Sequence, residues 1–144
     1  MSLNGPVNDS SPDPDRPDSS HGLILVIDDN PHIQRLIVTL LAMHGHRATA
    51  ASSMEEAFLM CQSQAQAISL AIVDCSLCMG QHIGELGKLK ILAPHLKIIV
   101  TSGMLEDECC PKVDDCPYDL FLPKPFHPAD LIQAIQQVLP AHRS

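Results

Sequence analysis

The sequence predicts an α/β fold, a doubly wound parallel sheet of five strands alternating with five helices. Three observations predict it. Short apolar runs without polar alternation, such as Leu70-Ala71-Ile72-Val73, read as strands buried on both faces, the habit of parallel sheets. Amphipathic stretches of helical period separate these runs, and parallel neighbours need such crossovers, right-handed and covering both faces. The runs also end in polar or charged residues: Asp28-Asp29, Asp74, Ser102 and Lys124. In open α/β sheets ligands bind at that end of the strands.

In chain order, residues 1–22 hold Pro6, Pro12, Pro14, Pro17, several serines and four aspartates, with Leu3 and Val7 the only sizeable apolar residues after Met1. Such a segment buries too little surface to offset its ordering entropy, and it reads as a disordered leader. Leu23 to Ile27 is the first strand. Asn30-Pro31 then starts a helix, the asparagine as cap and the proline at the first helical position, which leaves both Asp28 and Asp29 free for another role. Ile33, Leu36, Ile37, Leu40 and Leu41 recur at helical spacing, and His44-Gly45 ends the helix with a glycine suited to a left-handed cap.

Arg47 to Ala51 is a weaker second strand. Ser52 or Ser53, with Glu55 or Glu56, supplies a capping box for a second helix running to about Ala65. Ile68 to Asp74 is the third strand. Ile83, Leu86, Leu89 and Ile91 suggest a third helix, which Pro94 closes. Lys97 to Thr101 is the fourth strand, ending at Ser102-Gly103. Between Met104 and Asp115 the helix is short or distorted, because Pro111 interrupts it. Asp119 to Leu122 is a short fifth strand, and Leu131, Ile132, Ile135, Val138 and Leu139 mark the last helix. The boundaries are a leader at 1–22, one domain at 23–140 and a tail at 141–144.

Composition narrows the function. The 144 residues are 45% hydrophobic and 18% charged, the pattern of a globular domain. The net charge of −8, with no basic cluster, opposes a nucleic-acid surface. No apolar run approaches the roughly 20 residues that span a bilayer, and the N-terminus lacks the pattern of a signal peptide. The sequence therefore reads as cytoplasmic, with no membrane insertion. In that setting Cys61, Cys75, Cys78, Cys109, Cys110 and Cys116 are expected to be reduced thiols. Cys75-x-x-Cys78 has the spacing of half a zinc site or a redox pair, but small polarizable residues in a core or loop explain it as simply.

Three carboxylates, a hydroxyl and an ammonium stand at the ends of four strands. Hard oxygen ligands in that number favour Mg²⁺, which takes one or two direct carboxylates and keeps several waters. A carboxylate beside a dication and a lysine is poised as a nucleophile toward phosphorus. In order and spacing, the acid pair, the single acid, Ser102-Gly103 and Lys124-Pro125-Phe126 resemble the response-regulator receiver domain, the phosphoacceptor module of two-component phosphorelays, over residues 23 to about 140.

The resemblance implies a flavodoxin-like sheet of order 2-1-3-4-5. It implies that Asp74 accepts a phosphoryl group from a histidine kinase or a histidine phosphotransfer protein. Asp29 would bind Mg²⁺ directly, Asp28 largely through water, and the backbone carbonyl of Ser76 would complete the protein ligands beside Asp74. Ser102 aligns with the switch hydroxyl, with Thr101 as the fallback. Lys124 would bridge Asp74 to the phosphoryl group, and Phe121 matches the aromatic that turns inward on activation. A cis Lys124-Pro125 bond is also implied. Self-phosphorylation and self-dephosphorylation are the only reactions expected, the latter slowed by Met104 at the path of the hydrolytic water.

The chain departs from the family where Cys78 replaces the usual proline after the phosphoacceptor, around Cys116, and at Pro111. The pattern fits a free-standing receiver or one cut from a hybrid kinase. Two other readings keep the fold: a pseudo-receiver that binds proteins without being phosphorylated, and a redox or metal sensor built on the cysteines. The full set Asp28, Asp29, Asp74 and Lys124 counts against the first, since a module that is never phosphorylated has no need of a charged pocket.

Overall fold

The computed structural model describes residues 22–64, 67–74, 84–103 and 118–139. Its elements are β1 (Leu23–Ile27), α1 (Pro31–Met43), β2 (Arg47–Ala51), α2 (Met54–Gln64), β3 (Ile68–Asp74), α3 (Gly84–Leu92), β4 (Lys97–Ser102), β5 (Leu120–Pro123) and α4 (Pro128–Val138). The five strands form one sheet of order β2-β1-β3-β4-β5, and every pairing is parallel. Four helices are present among the described residues. The expected fifth, between Met104 and Asp115, lies outside them, as do the leader before Gly22 and residues 140–144.

Apolar burial on both faces explains why the strand sequences do not alternate. Leu25, Ile27, Ala71, Val73, Ile98 and Val100 face a core closed by α2 and α3. Ile24, Val26, Leu70, Ile72 and Ile99 face a second core closed by α1 and α4. A strand between two such layers needs an apolar residue at every position. β1 and the interior of β3 therefore carry the longest apolar runs.

Local chemistry fixes the ends. Asn30 caps α1, its Oδ1 accepting from the His32 N–H at 2.9 Å, with Pro31 at the first helical position. Gly45 follows the helix at φ +83°, the left-handed conformation that favours glycine. Gly22, at φ +75°, admits no side chain, because a Cβ there would stand 2.8 Å from the Ala67 carbonyl oxygen. Ahead of α2 the choice among the capping residues resolves to Ser53 and Glu56. Ser53 Oγ accepts from the Glu56 N–H at 3.1 Å, and Glu56 Oε1 accepts from the Ser52 N–H at 2.7 Å.

Two details differ from the periodicity. Ile37 and Leu41 are buried, but Leu36 is 65% exposed and Ile91 79% exposed, so the apolar stripes of α1 and α3 are wider than the faces they bury. β5 begins at Leu120, because Asp119 is spent on anchoring it: its Oδ2 accepts from the Ile98 N–H at 2.8 Å and from Lys90 Nζ at 3.0 Å. The contrast on α1 has a measurable consequence. Leu41→Ala is expected to lower unfolding free energy by about 2–5 kcal/mol in a denaturant titration, through lost burial and a cavity. Leu36→Ala should stay within about 0.5 kcal/mol of the parent.

Candidate functional site

The strands carry their polar ends to one edge of the sheet. Asp28 follows β1, its N–H bonded at 3.0 Å to the Ala51 carbonyl at the end of β2, and Asp74 closes β3 next door. One carboxylate oxygen from each of Asp28, Asp29 and Asp74 lies within 4.8 Å of the others. Asp28 is buried, Asp29 exposed and Asp74 between the two. Asp28 Oδ1 also accepts from the Asn30 N–H at 2.8 Å, which turns the loop and aims the carboxylate toward the sheet edge.

Lys124 approaches from β5. Its Nζ is 3.3 Å from Asp74 Oδ1, and both groups are partly shielded from solvent. The Lys124 N–H donates to the Ser102 carbonyl at 2.6 Å, extending the β4–β5 ladder to the lysine, and the Lys124–Pro125 bond is cis, as expected.

Negative charge is crowded at these acids. The Asp28 carboxyl is pushed above the ordinary carboxylate range, chiefly by burial and further by the Asp74 and Asp29 carboxylates; the Asn30 N–H and Lys124 pull it back. Three carboxylates offset by one ammonium leave a surplus of negative charge in a partly desolvated pocket. A divalent cation with oxygen ligands fits that donor set.

The two candidate switch hydroxyls differ in position. Thr101 pairs in register with Asp74, whereas Ser102 lies one residue further, opposite Pro123. Both are buried, at 3% and 2% exposure. Alternation puts Ser102 on the same sheet face as Val100 and Phe121, and Phe121 packs half-buried against that core, its ring centroid 6.3 Å from that of Tyr118. Ser76 and Met104 lie outside the described residues, as do Pro111 and Cys75, Cys78, Cys109, Cys110 and Cys116. Cys61 is described: it is buried in α2, and burial pushes its thiol up, so it behaves as a small core residue.

Residues 24–136 match the model of the response regulator receiver domain. The chain belongs to that family. It is thus a receiver domain of two-component signalling, and its sheet order is the flavodoxin-like one. Solved structures agree. A response regulator receiver domain protein from Clostridium thermocellum is 26% identical, with a TM-score of 0.73 over 82% of this chain and 94% of that one. A CheY-like receiver domain protein from Methanospirillum hungatei JF-1 is 24% identical, with a TM-score of 0.72 over 82% and 93%. NtrX from Brucella abortus is 25% identical, with a TM-score of 0.71, this receiver covering 27% of that longer chain. No curated protein sequence matches the chain. Among the described residues no helix is long and apolar enough to cross a membrane.

Two features were missed by sequence reasoning. One is Gln34, whose Nε2 donates to the Asp28 carbonyl, to Ser52 Oγ at 3.0 Å and to the Ala51 carbonyl at 3.3 Å. The other is an apolar groove of about 660 Å³ beside the acids, lined by Ile33, Leu36 and Leu40 of α1 and by Phe126 and Pro128, with Lys124 at its rim. The surplus apolar residues of α1 were the signal for the groove. Gln34 left none, since one glutamine in a helix reads as a solvated position.

Proposed function

We propose that this receiver is a phosphoacceptor: Asp74 takes a phosphoryl group from a phosphohistidine on a histidine kinase or phosphotransfer protein, and Ser102 and Phe121 then shift to change partner binding. The observation that carries it is Lys124 Nζ at 3.3 Å from Asp74 Oδ1, beside three carboxylates gathered within 4.8 Å. Asp74 attacks phosphorus through a carboxylate oxygen, with Lys124 close enough to neutralise charge beside it. The new P–O bond forms as the P–N bond to the donor's histidine breaks. Lys124 then neutralises a phosphoryl oxygen. Asp28, Asp29 and Asp74 would hold Mg²⁺, together with the Ser76 carbonyl. When bound, Mg²⁺ supplies charge neutralisation at the phosphoryl oxygens. The Ser102 hydroxyl, with Thr101 as the fallback, would bond a phosphoryl oxygen that exists only after transfer, and Phe121 on the same face follows it inward.

Acetyl phosphate with Mg²⁺, read by intact mass, tests the reading. A single phosphoryl adduct that needs the cation supports it. No adduct and no Mg²⁺ binding would leave a module that only binds proteins.

A protein donor must lower its histidine onto Asp74 from the strand-end side, and the apolar groove begins at that rim. The groove therefore serves as the donor's seat. Leu36→Asp, at an exposed position, is expected to reduce phosphotransfer from a phosphohistidine protein by about tenfold, the scale of a buried interface anchor, with acetyl phosphate labelling unchanged. Equal losses with both donors would place the defect in the acid pocket instead.

A further inference from the structure

The acid pair sits just past the paired strands. Ile27 is the last residue of β1 in register with β2, opposite Ala51, so the peptide joining Asp28 to Asp29 has no place in the ladder. Its orientation nevertheless sets where both carboxylates leave the backbone. Its carbonyl oxygen, that of Asp28, accepts from Gln34 Nε2. The same nitrogen reaches the Ala51 carbonyl and Ser52 Oγ at 3.3 and 3.0 Å. Carbonyl oxygens only accept, so the amide must present its nitrogen here. Ser52 is available because Ser53 caps α2 in its stead. Gln34 itself is half-buried on the first turns of α1.

We propose that Gln34 is a positioning residue for the acid pair: its side-chain amide clamps the Asp28–Asp29 peptide to the end of β2, presetting both carboxylates for a divalent cation. The inference rests on the phosphoacceptor reading, through the cation site. A tie of α1 to the sheet for stability alone would change the unfolding midpoint but not the affinity of the folded protein for metal. A clamp on the ligands changes that affinity, because the cation must then order the loop as it binds. Residues that orient metal ligands from behind typically move affinity by about 10- to 100-fold when lost.

The test is calorimetric titration of the whole chain with Mn²⁺ alone, well below each variant's melting temperature. Gln34→Met keeps the side-chain length and removes the donor; Gln34→Asn keeps the amide and withdraws it from reach. Both are expected to weaken Mn²⁺ binding by about tenfold. Ser52→Ala should cost about two- to threefold in the parent and nothing further in Gln34→Met, since both changes act on one contact. Folded Gln34 variants with parental affinity overturn the proposal, and so do fully additive losses in the double variant. If the parent binds no Mn²⁺, the phosphoacceptor reading falls and takes this inference with it, an outcome distinct from parental binding that Gln34 does not affect.

Discussion

Asp74→Asn is expected to abolish the phosphoryl adduct formed from acetyl phosphate and Mg²⁺, with labelling reduced at least about a hundredfold, as for loss of a nucleophile. The two side chains are nearly the same size, and an asparagine Oδ1 can still accept from Lys124, so the 3.3 Å contact and the fold survive. What is lost is the anionic oxygen that attacks phosphorus. Asp29 is exposed and close enough to be a substitute nucleophile, but Lys124 engages Asp74 and not Asp29, and charge neutralisation is focused there. Intact mass followed by peptide mapping checks both points. An undiminished adduct in Asp74→Asn, mapped to Asp28 or Asp29, would move the phosphoacceptor to the first loop and overturn the assignment of Asp74.

Much of the fold was legible because burial on two faces leaves a simple trace. β2 and β3 appear with the bounds expected from their sequences, and the apolar run of β1 could serve little else than an inner strand. Legibility fails where a position serves two demands. Leu36 has the helical spacing of a core residue, yet it faces a groove at the rim, and periodicity reports which face a residue is on without saying what covers it. Asp119 reads as the start of a strand until its carboxylate is seen bonding the Ile98 N–H and Lys90, 21 and 29 positions away.

The acidic site was legible for a different reason. Parallel connection forces every strand's carboxyl end to one edge, so residues scattered between 28 and 124 could be brought together on paper. Gln34 escaped because two of its three acceptors are backbone carbonyls, which have no sequence signature, and the third, Ser52 Oγ, lies 18 positions away.

Asp28→Asn should weaken Mg²⁺ binding by about 10- to 100-fold while making the metal-free protein more stable. The stability follows from the pocket's charge. Burial first, then the neighbouring Asp74 and Asp29 carboxylates, raise the Asp28 carboxyl above its ordinary value against the pull of the Asn30 N–H and Lys124. A raised carboxyl binds its proton more tightly in the folded chain than in the unfolded one. Between the ordinary value and the raised one the folded state holds more protons, so stability falls as pH rises through that window, and at neutral pH the ionised Asp28 is a net cost. Asparagine removes the charge, and its Oδ1 still accepts from the Asn30 N–H, which stands 2.8 Å from the aspartate oxygen it replaces. A gain of about 0.5–2 kcal/mol at neutral pH, the usual scale for relieving an unfavourable charge, should shrink as pH falls through the raised value and be gone below the ordinary carboxylate value, where the parent is protonated in both states. Mg²⁺ works against that gain: cation well above the parent's Kd should raise the parent's melting temperature more than that of Asp28→Asn, since a ligand stabilises the folded state in proportion to the logarithm of its concentration relative to Kd. Thermal unfolding at several pH values with and without Mg²⁺ reads all of this. A variant less stable than the parent at neutral pH without metal would mean that Asp28 is held by favourable bonds that outweigh its burial, and that the pocket is not waiting for a cation.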